Sequence, residues 1–148
     1  MDKILTSPRV TVLLSVYNGE RFLAEAIDSI LCQSYKDYEF IIIDDASTDS
    51  TPEILKRYAR KDSRIKIVTN PVNLRLAASL NKGISLASGE LIARMDADDV
   101  SLPDRLEKQV DLIIDGGYGG LEASTVINLA DGQPEVLRVG CGDPSAFE

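Results

Sequence analysis

Histidine is absent from this sequence of 148 residues. Without an imidazole, the chain cannot use a Ser-His-Asp triad, a histidine-ligated zinc ion or a histidine acid or base. Any chemistry must therefore depend on carboxylates or on a bound cation.

Cysteine is scarce as well, with Cys32 and Cys141 far apart in the sequence. This spacing fits neither a paired framework nor a metal site, so we expect reduced thiols, packed as small buried apolar side chains, in a cytoplasmic protein. The first nine residues lack the apolar core of a signal peptide, and no run approaches the roughly 18 to 20 apolar residues of a membrane span. The sequence predicts a soluble chain.

Basic residues are fewer than acidic ones, 16 against 24, which gives a formal net charge of -8. A surface that binds nucleic acid or an anionic membrane needs clustered Lys and Arg, and no such cluster is present. We therefore expect no nucleic-acid partner.

Apolar, β-branched segments alternate with segments of helical period. Strands are predicted over residues 9–16, 39–43, 65–68 and 90–95. Helices are predicted after the candidate caps Asn18 and Ser50, over residues 76–86, and, after Ser101, over residues 105–110. This alternation is typical of an α/β fold with a mostly parallel sheet that is flanked by helices.

The composition changes near Gln109. Residues 110–148 contain one basic residue, Arg138, and 7 of the 10 glycines. We therefore expect two regions, 1–109 and 110–148, the second with short strands over 112–114, 125–129 and 136–139. The sheet of the first region is then incomplete, and the second is a β-rich tail of foreign origin.

Aspartates follow two of the predicted strands. Asp44 and Asp45 end the second, and Asp96, Asp98 and Asp99 follow the fourth. Ligands of open parallel sheets bind beyond the carboxyl ends of the strands. On an extended exit Asp96 and Asp98 would face the same side and Asp99 the other, a pair suited to Mg²⁺ or Mn²⁺. The alternative is that these residues only form turns or cap helices. We keep this alternative because an isolated Asp-x-Asp triplet is a weak signal of a metal site.

Other polar residues have two interpretations. Ser15 and Tyr17 lie at the end of the first strand, either beside a ligand or bonded locally and packed on the sheet. Two roles are possible for a further group of polar residues: contact with a phosphate or a sugar of the ligand, or a place on a solvated helix face. These residues are Asn73, Arg75, Asn81 and Lys82.

The segments VTVLLSVYNGERFLAEAIDSILCQSY, EFIIIDDASTDST and GISLASGELIARMDADDVSLPDRLEKQ occur in this order. Together they resemble the amino-terminal, nucleotide-sugar-binding half of family 2 glycosyltransferases with the GT-A fold, over residues 8–109. The proline that usually precedes VYN in this family is replaced by Leu14-Ser15.

This resemblance implies transfer of a sugar from a nucleotide diphosphate donor to an acceptor hydroxyl, with inversion. Ser15 and Tyr17 would lie beside the nucleotide, Asp45 would accept a hydrogen bond from the base, and Asp96 and Asp98 would form the Asp-x-Asp (DXD) pair, with Asp98 nearest the metal. The family's catalytic base lies further downstream, so the resemblance assigns no catalytic residue here. The sugar, the base and the acceptor are not specified.

Residues 111–147 resemble instead the carboxyl end of the nucleotide-binding domain of threonylcarbamoyl-adenylate synthases. Phosphate contacts would map to Ser124, Thr125 and Arg138, whereas Asn128 departs from that family's usual Asp. Two or three ordinary strands with glycine turns are the alternative. For the whole chain, the alternatives to impaired sugar transfer are a non-catalytic nucleotide-binding remnant or chimera, and a nucleotidyltransferase. LSVYNGE lacks the glycine-rich, basic loop of the last class.

Overall fold

A computed structural model describes residues 7–111 and the backbone of residues 126–128 and 135–138. The chain divides into two compact units, Met1–Asp111 and Leu112–Glu148. The first contains, in chain order, β1 (Val10–Val16), α1 (Leu23–Leu31), β2 (Tyr38–Asp44), α2 (Thr51–Lys61), β3 (Ile65–Thr69), α3 (Arg75–Leu86), β4 (Leu91–Asp96) and α4 (Arg105–Asp111).

In the second unit, the described residues form the antiparallel strands β5 (Val126–Asn128) and β6 (Glu135–Arg138). They overlap two of the three strands predicted there, with β6 beginning one residue earlier than expected. The predicted strand over 112–114, Cys141, Ser124 and Thr125 lie outside the described residues.

The strands of the first unit form a parallel sheet in the order β3-β2-β1-β4. The predicted α/β fold, a mostly parallel sheet flanked by helices, is confirmed. All of β2 and nearly all of β1 are buried, whereas β3 and β4 at the edges alternate between buried and exposed residues. Helices cover both faces of the central strands, and this explains why residues 40–43 form an uninterrupted apolar run.

Alternate residues of the strands pack on opposite faces of the sheet. One face meets α1 and α2 through a cluster that contains Leu14, Ile42, Ile27 and Leu55. The other face meets α3 through Leu13, Ile41 and Ile43. A Cβ atom at Gly83 would lie 2.2 Å from Leu13 Cδ1, so α3 packs unusually close to β1.

A buried glutamate joins the amino ends of three strands. Glu39 accepts hydrogen bonds from Thr11 Oγ1 and from the amide and hydroxyl of Ser88, at 2.6 to 2.7 Å, and its other oxygen pairs with Lys66 at 2.5 Å. Burial alone would raise the pKa of Glu39, but these hydrogen bonds outweigh it and lower that pKa to about 2. Glu39 thus stays ionised where it ties β1, β3 and the α3–β4 turn together.

The segment after Asp99 is held against α1 by a buried amide. Gln33 donates to the carbonyl of Leu102 at 2.6 Å and accepts from the amide of Leu106 at 2.9 Å. Gln33 therefore satisfies an amide in the first turn of α4, the role that we predicted for Ser101. The Ser101 hydroxyl instead accepts from Arg105.

Cys32 is exposed, so the prediction of a buried thiol there is wrong. It directly follows the last turn of α1, whose buried residues lie on the opposite face. Among the described residues, no helix is long and apolar enough to cross a membrane.

Candidate functional site

The carboxyl ends of β1 and β4 form the walls of a cavity of about 310 Å³. Ser15 pairs with Asp96 in the register of these two strands. The lining consists of Ser15, Val16, Tyr17, Asn18, Gly19, Phe22, Asp96, Ala97 and Asp98. The fold therefore brings four of the five predicted site residues to one cavity: Ser15, Tyr17, Asp96 and Asp98. The fifth, Asp45, is not part of this wall.

Asn18 does not cap α1, which begins at Leu23. Its backbone has a positive φ of 52°, a conformation that Asn tolerates better than most residues. Its side-chain oxygen accepts from the amide of Thr48 at 2.8 Å, and its own amide donates to Ser47 Oγ at 2.9 Å. Asn18 thus joins the β1–α1 loop to the β2–α2 loop.

Three more hydrogen bonds join the same two loops. The amide of Gly19 donates to Thr51 Oγ1, the amide of Glu20 to Asp49 Oδ2, and the amide of Ser50 to Glu20 Oε2, at 2.9 to 3.1 Å. We call residues 18–20 and 47–51, with the bonds between them, the loop clasp. It fixes the backbone on which Tyr17, 51% exposed, faces the cavity.

Asp49 takes the capping role that was predicted for Ser50. Asp49 Oδ1 accepts from the amide of Thr51 at 2.9 Å, whereas the Ser50 hydroxyl makes no capping bond. Burial acts to raise the pKa of Asp49, but the hydrogen bonds from Thr51 and Glu20 lower this pKa by a larger amount, so the net shift is downward. The clasp therefore contains an ionised carboxylate at neutral pH.

Asp45 lies at the end of β2 and is only 3% exposed. Its Oδ1 accepts from Asn70 Nδ2 at 2.7 Å and from the amide of Leu74 at 2.8 Å, and its Oδ2 accepts from the amide of Arg75 at 2.8 Å. Burial acts to raise the pKa of Asp45, yet these bonds lower it overall. The ionised carboxylate thus satisfies amides at the start of α3.

Asp44 is also buried and closes a local turn, since its Oδ1 accepts from the amide of Ser47 at 3.0 Å. This bond is the turn-forming alternative that the sequence left open. The backbone of Asp45 donates to the carbonyl of Val16 at 2.8 Å, which joins the ends of β1 and β2.

Asn70 is a buried partner of Asp45 that the sequence analysis did not select. It is 1% exposed, and it donates to both Asp45 and Ser79, while its side-chain oxygen accepts from Lys82 Nζ at 2.7 Å. Its place after β3 and before Pro71 gave a signal, because polar residues at strand ends face the ligand crevice. Lys82 is thereby committed to Asn70, whereas Asn73, Arg75 and Asn81 are exposed.

The extended exit that we predicted after β4 is wrong. β4 ends at Asp96, and the chain turns at once, with the amide of Asp99 donating to the carbonyl of Asp96 at 3.3 Å. Asp96 and Asp98 nevertheless line the same cavity, so the turn places together the two carboxylates that we expected to pair. Arg94 donates to Asp96 Oδ1 at 2.7 Å, and both side chains are about half exposed.

The carboxylates of Asp96 and Asp98 fit a divalent cation of limited protein ligation. Among the described residues no group of three His, Cys, Asp or Glu side chains converges, so a cage made wholly of protein ligands is not formed there. Mg²⁺ and Mn²⁺ suit one or two carboxylates, with phosphate oxygens and water as the other ligands. The open cavity beside both aspartates leaves room for such a shell.

The sequence profile described as "Glycosyl transferase family 2" matches residues 11–134. The chain belongs to glycosyltransferase family 2. A putative glycosyltransferase of Bacillus subtilis strain 168, EpsE, is 58% identical over 106 residues, which are 71% of this chain and 38% of EpsE. The uncharacterized glycosyltransferase MJ1057 of Methanocaldococcus jannaschii is 46% identical over 111 residues, 74% of this chain and 37% of that protein. This family 2 chain thus spans less than half of these relatives.

Solved structures agree with the assignment. The mannosyltransferase PcManGT of Pyrobaculum calidifontis, in complex with GDP-Man and Mn²⁺, gives a TM-score of 0.69 at 30% identity, over 86% of this chain and 38% of that one. S. aureus TarS 1-349, in complex with UDP, gives 0.66 at 25% identity, over 70% and 31%. The predicted GT-A fold is confirmed by these neighbours. The resemblance of residues 111–147 to a synthase stays a prediction.

Proposed function

We propose that this chain binds a nucleoside diphosphate sugar together with Mg²⁺ or Mn²⁺, as the donor site of a glycosyltransferase. The observation that carries the proposal is the cavity that brings Ser15 and Tyr17 together with Asp96 and Asp98. PcManGT, which resembles this chain in fold, is known in complex with a nucleotide sugar and Mn²⁺, and this supports the choice of ligand and metal.

The strand order suggests how the donor lies. Of the two metal-binding candidates, Asp96 ends β4 and Asp98 lies in the turn after it, Asp45 follows β2, and β1 lies between the two strands. Adjacent strands are separated by about 4.8 Å, so the two ends of the site are roughly 10 Å apart. An extended nucleoside diphosphate bridges that distance, with its phosphates at Asp96 and Asp98, its sugar-phosphate part along Ser15 and Tyr17, and its base toward Asp45.

Each residue has a defined task in this arrangement. The metal, when bound, supplies a Lewis acid that stabilises the departing diphosphate. Asp98 and Asp96 would hold it, while Tyr17 would offer an exposed ring beside the nucleotide. Asp45, whose pKa is lowered, is acceptor-only at neutral pH and suits an N–H of a base.

We expect weak or no sugar transfer by these 148 residues. The carboxylates that line the cavity, Asp96 and Asp98, are both assigned to the metal, so neither is left to take the proton of an acceptor hydroxyl. Slow hydrolysis of the donor is the largest turnover that we expect. Efficient transfer to a defined acceptor would show that another carboxylate supplies the base.

Calorimetry with UDP, GDP, CDP and ADP, each with and without Mn²⁺, tests the donor site directly. The expected result is metal-dependent binding of at least one diphosphate. Absence of binding to all four under both conditions would contradict the proposal. Metal-independent binding would remove the role assigned to Asp96 and Asp98.

A further inference from the structure

The turn after β4, which carries Asp98, has little internal hydrogen bonding. In the structure of residues 7–111, one hydrogen bond joins two members of the segment 96–101, from the amide of Asp99 to the carbonyl of Asp96 at 3.3 Å. Protein N–H···O hydrogen bonds usually span about 2.7 to 3.2 Å, so this bond is long. The position of the exposed Asp98 side chain therefore depends on how the two ends of the segment are held.

Arg105, the first residue of α4, binds both ends of this segment. Its Nη2 donates to the carbonyl of Arg94 at 2.6 Å, and its Nη1 donates to Ser101 Oγ at 2.8 Å. Arg94 precedes Asp96 in β4, and Ser101 follows Asp98 in the loop. A single guanidinium thus brackets the stretch of chain that contains both carboxylates.

The end of the segment at Ser101 is fixed to α1. Ser101 is 7% exposed, its amide donates to Ser29 Oγ at 3.0 Å, and its hydroxyl donates to Met95 Sδ at 3.4 Å. The hydroxyl of Ser29 in turn donates to the carbonyl of Ala26 at 2.7 Å. Arg105 is therefore attached to a point that the core already holds.

The other end of the segment is held at the edge of the described sheet. The amide of Leu91 donates to the carbonyl of Arg9, so Leu91 directs its backbone groups toward β1. Alternate residues of a strand direct these groups to the same side, and the carbonyl of Arg94 therefore points away from β1, to the open edge. Arg105 supplies the donor that β1 cannot supply to this carbonyl.

We propose that Arg105 is a positioning residue of the metal site, which fixes the turn that carries Asp96 and Asp98. Arg105 does not line the cavity, so its effect reaches the metal through the backbone of this turn. Groups that orient metal ligands contribute to metal affinity without touching the ion. A planar guanidinium suits the task because it holds two acceptors at a fixed separation, which an ammonium does not. This inference rests on the proposed function.

Charge alone predicts the opposite effect on metal affinity. Removal of a cation near two carboxylates makes the site more negative, which favours a bound Mn²⁺ ion. Loss of the two hydrogen bonds of Arg105 loosens the turn, which disfavours the ion. The direction of the change in a variant without the guanidinium therefore separates positioning from electrostatics.

The experiment uses the full chain and calorimetry with UDP, GDP, CDP and ADP over a series of Mn²⁺ concentrations. Arg105→Ala should raise the Mn²⁺ concentration for half-maximal diphosphate binding about threefold to tenfold, while affinity at saturating Mn²⁺ stays within about twofold of the parent. Arg105→Lys keeps the charge without the fork and should recover less than half of the shift. Lys108→Ala is the matched control, because it removes an exposed cation of the same helix that pairs with Asp104.

Hydrogen exchange of the ligand-free chain gives a second readout. In Arg105→Ala, the amides of Asp99 and Ser101 should exchange about threefold or more faster, while those of Ile41 and Ile43 keep the parent's rates. An equal acceleration at all four amides would mean that Arg105 only stabilises the whole unit, and would overturn the positioning role.

The calorimetric outcomes separate this inference from the proposed function. If the parent binds a diphosphate with Mn²⁺ and Arg105→Ala needs the same or less Mn²⁺, the positioning role is wrong and the donor site stands. Full recovery by Arg105→Lys would overturn the two-acceptor clamp. If the parent binds none of the four diphosphates, the proposed function fails, and the role of Arg105 at a metal site fails with it.

Discussion

Asn18 Oδ1 accepts a hydrogen bond from the amide of Thr48 at 2.8 Å, which joins the cavity wall to the loop after β2. Asn18→Gly keeps the positive φ and removes this acceptor. We expect diphosphate affinity to fall about threefold to tenfold, with a loss of about 1 kcal/mol in the free energy of unfolding. Calorimetry and denaturant unfolding measure the two effects.

Asn18→Asp retains an acceptor at the same place and serves as the matched control. It should recover most of the affinity that Asn18→Gly loses. Equal weakening in both variants would mean that the clasp bond does not position the donor site.

Asp98→Ala should weaken Mn²⁺-dependent diphosphate binding by about tenfold or more, because it removes one of two carboxylates from the metal shell. Asp99→Ala is the matched control, since Asp99 is adjacent but does not line the cavity. Titrations of both variants at saturating Mn²⁺ give the comparison. Unchanged affinity in Asp98→Ala would disprove the metal role.

Glu39 makes the free energy of unfolding depend on pH in the acid range. Its pKa of about 2 lies below the ordinary value of 4.5, so its contribution is complete above about pH 4.5 and disappears as the pH falls toward 2. Glu39→Gln should lose about 2 kcal/mol at pH 7 and show a flatter decline of stability below pH 4.5. Glu90→Gln, an exposed carboxylate, is the control. Parallel pH profiles for Glu39→Gln and the parent would contradict this assignment.

Removal of residues 112–148 should leave diphosphate affinity within about twofold, because all the assigned donor-site residues precede Asp111. The cut belongs after Asp111 and not after Gln109, since α4 continues to Asp111 and Val110 is 6% exposed in the first core. A large loss of affinity would show that the tail is integrated with the site. Slower amide exchange in Val12–Leu14 than in Val126–Asn128 of the full chain is expected in addition.

The sequence was informative about the strands and about residues that act within their own segment. The apolar run at 40–43 predicted a buried central strand, and Ser15, Tyr17, Asp96 and Asp98 line one cavity, which Asp45 does not join. The helix caps were mispredicted for two reasons. Asn18 bonds to another loop and not to α1, and the amides at the starts of α2 and α4 bond to side chains other than the nearest serine hydroxyl. Gln33 and Leu106 are 73 residues apart, a pairing that no local pattern contains.

The burial of Asp45 was not predictable for the same reason. Its three donors come from Asn70 and from the start of α3, and their approach depends on how α3 packs on β1 and β2. That packing in turn depends on Gly83 against Leu13. A site residue and a helix cap look alike in sequence, since both are an aspartate at a strand end.

The strand order β3-β2-β1-β4 has a consequence for how the chain folds during synthesis. β1 and β2 are available for pairing early, but the second neighbour of β1 is β4, which the ribosome makes after two further helices and another strand. One side of β1 must then wait unpaired while about 50 residues are added, at roughly 5 to 20 residues per second. The cavity acquires its acidic wall only when β4 docks, so the nascent chain should gain ligand affinity in one late step.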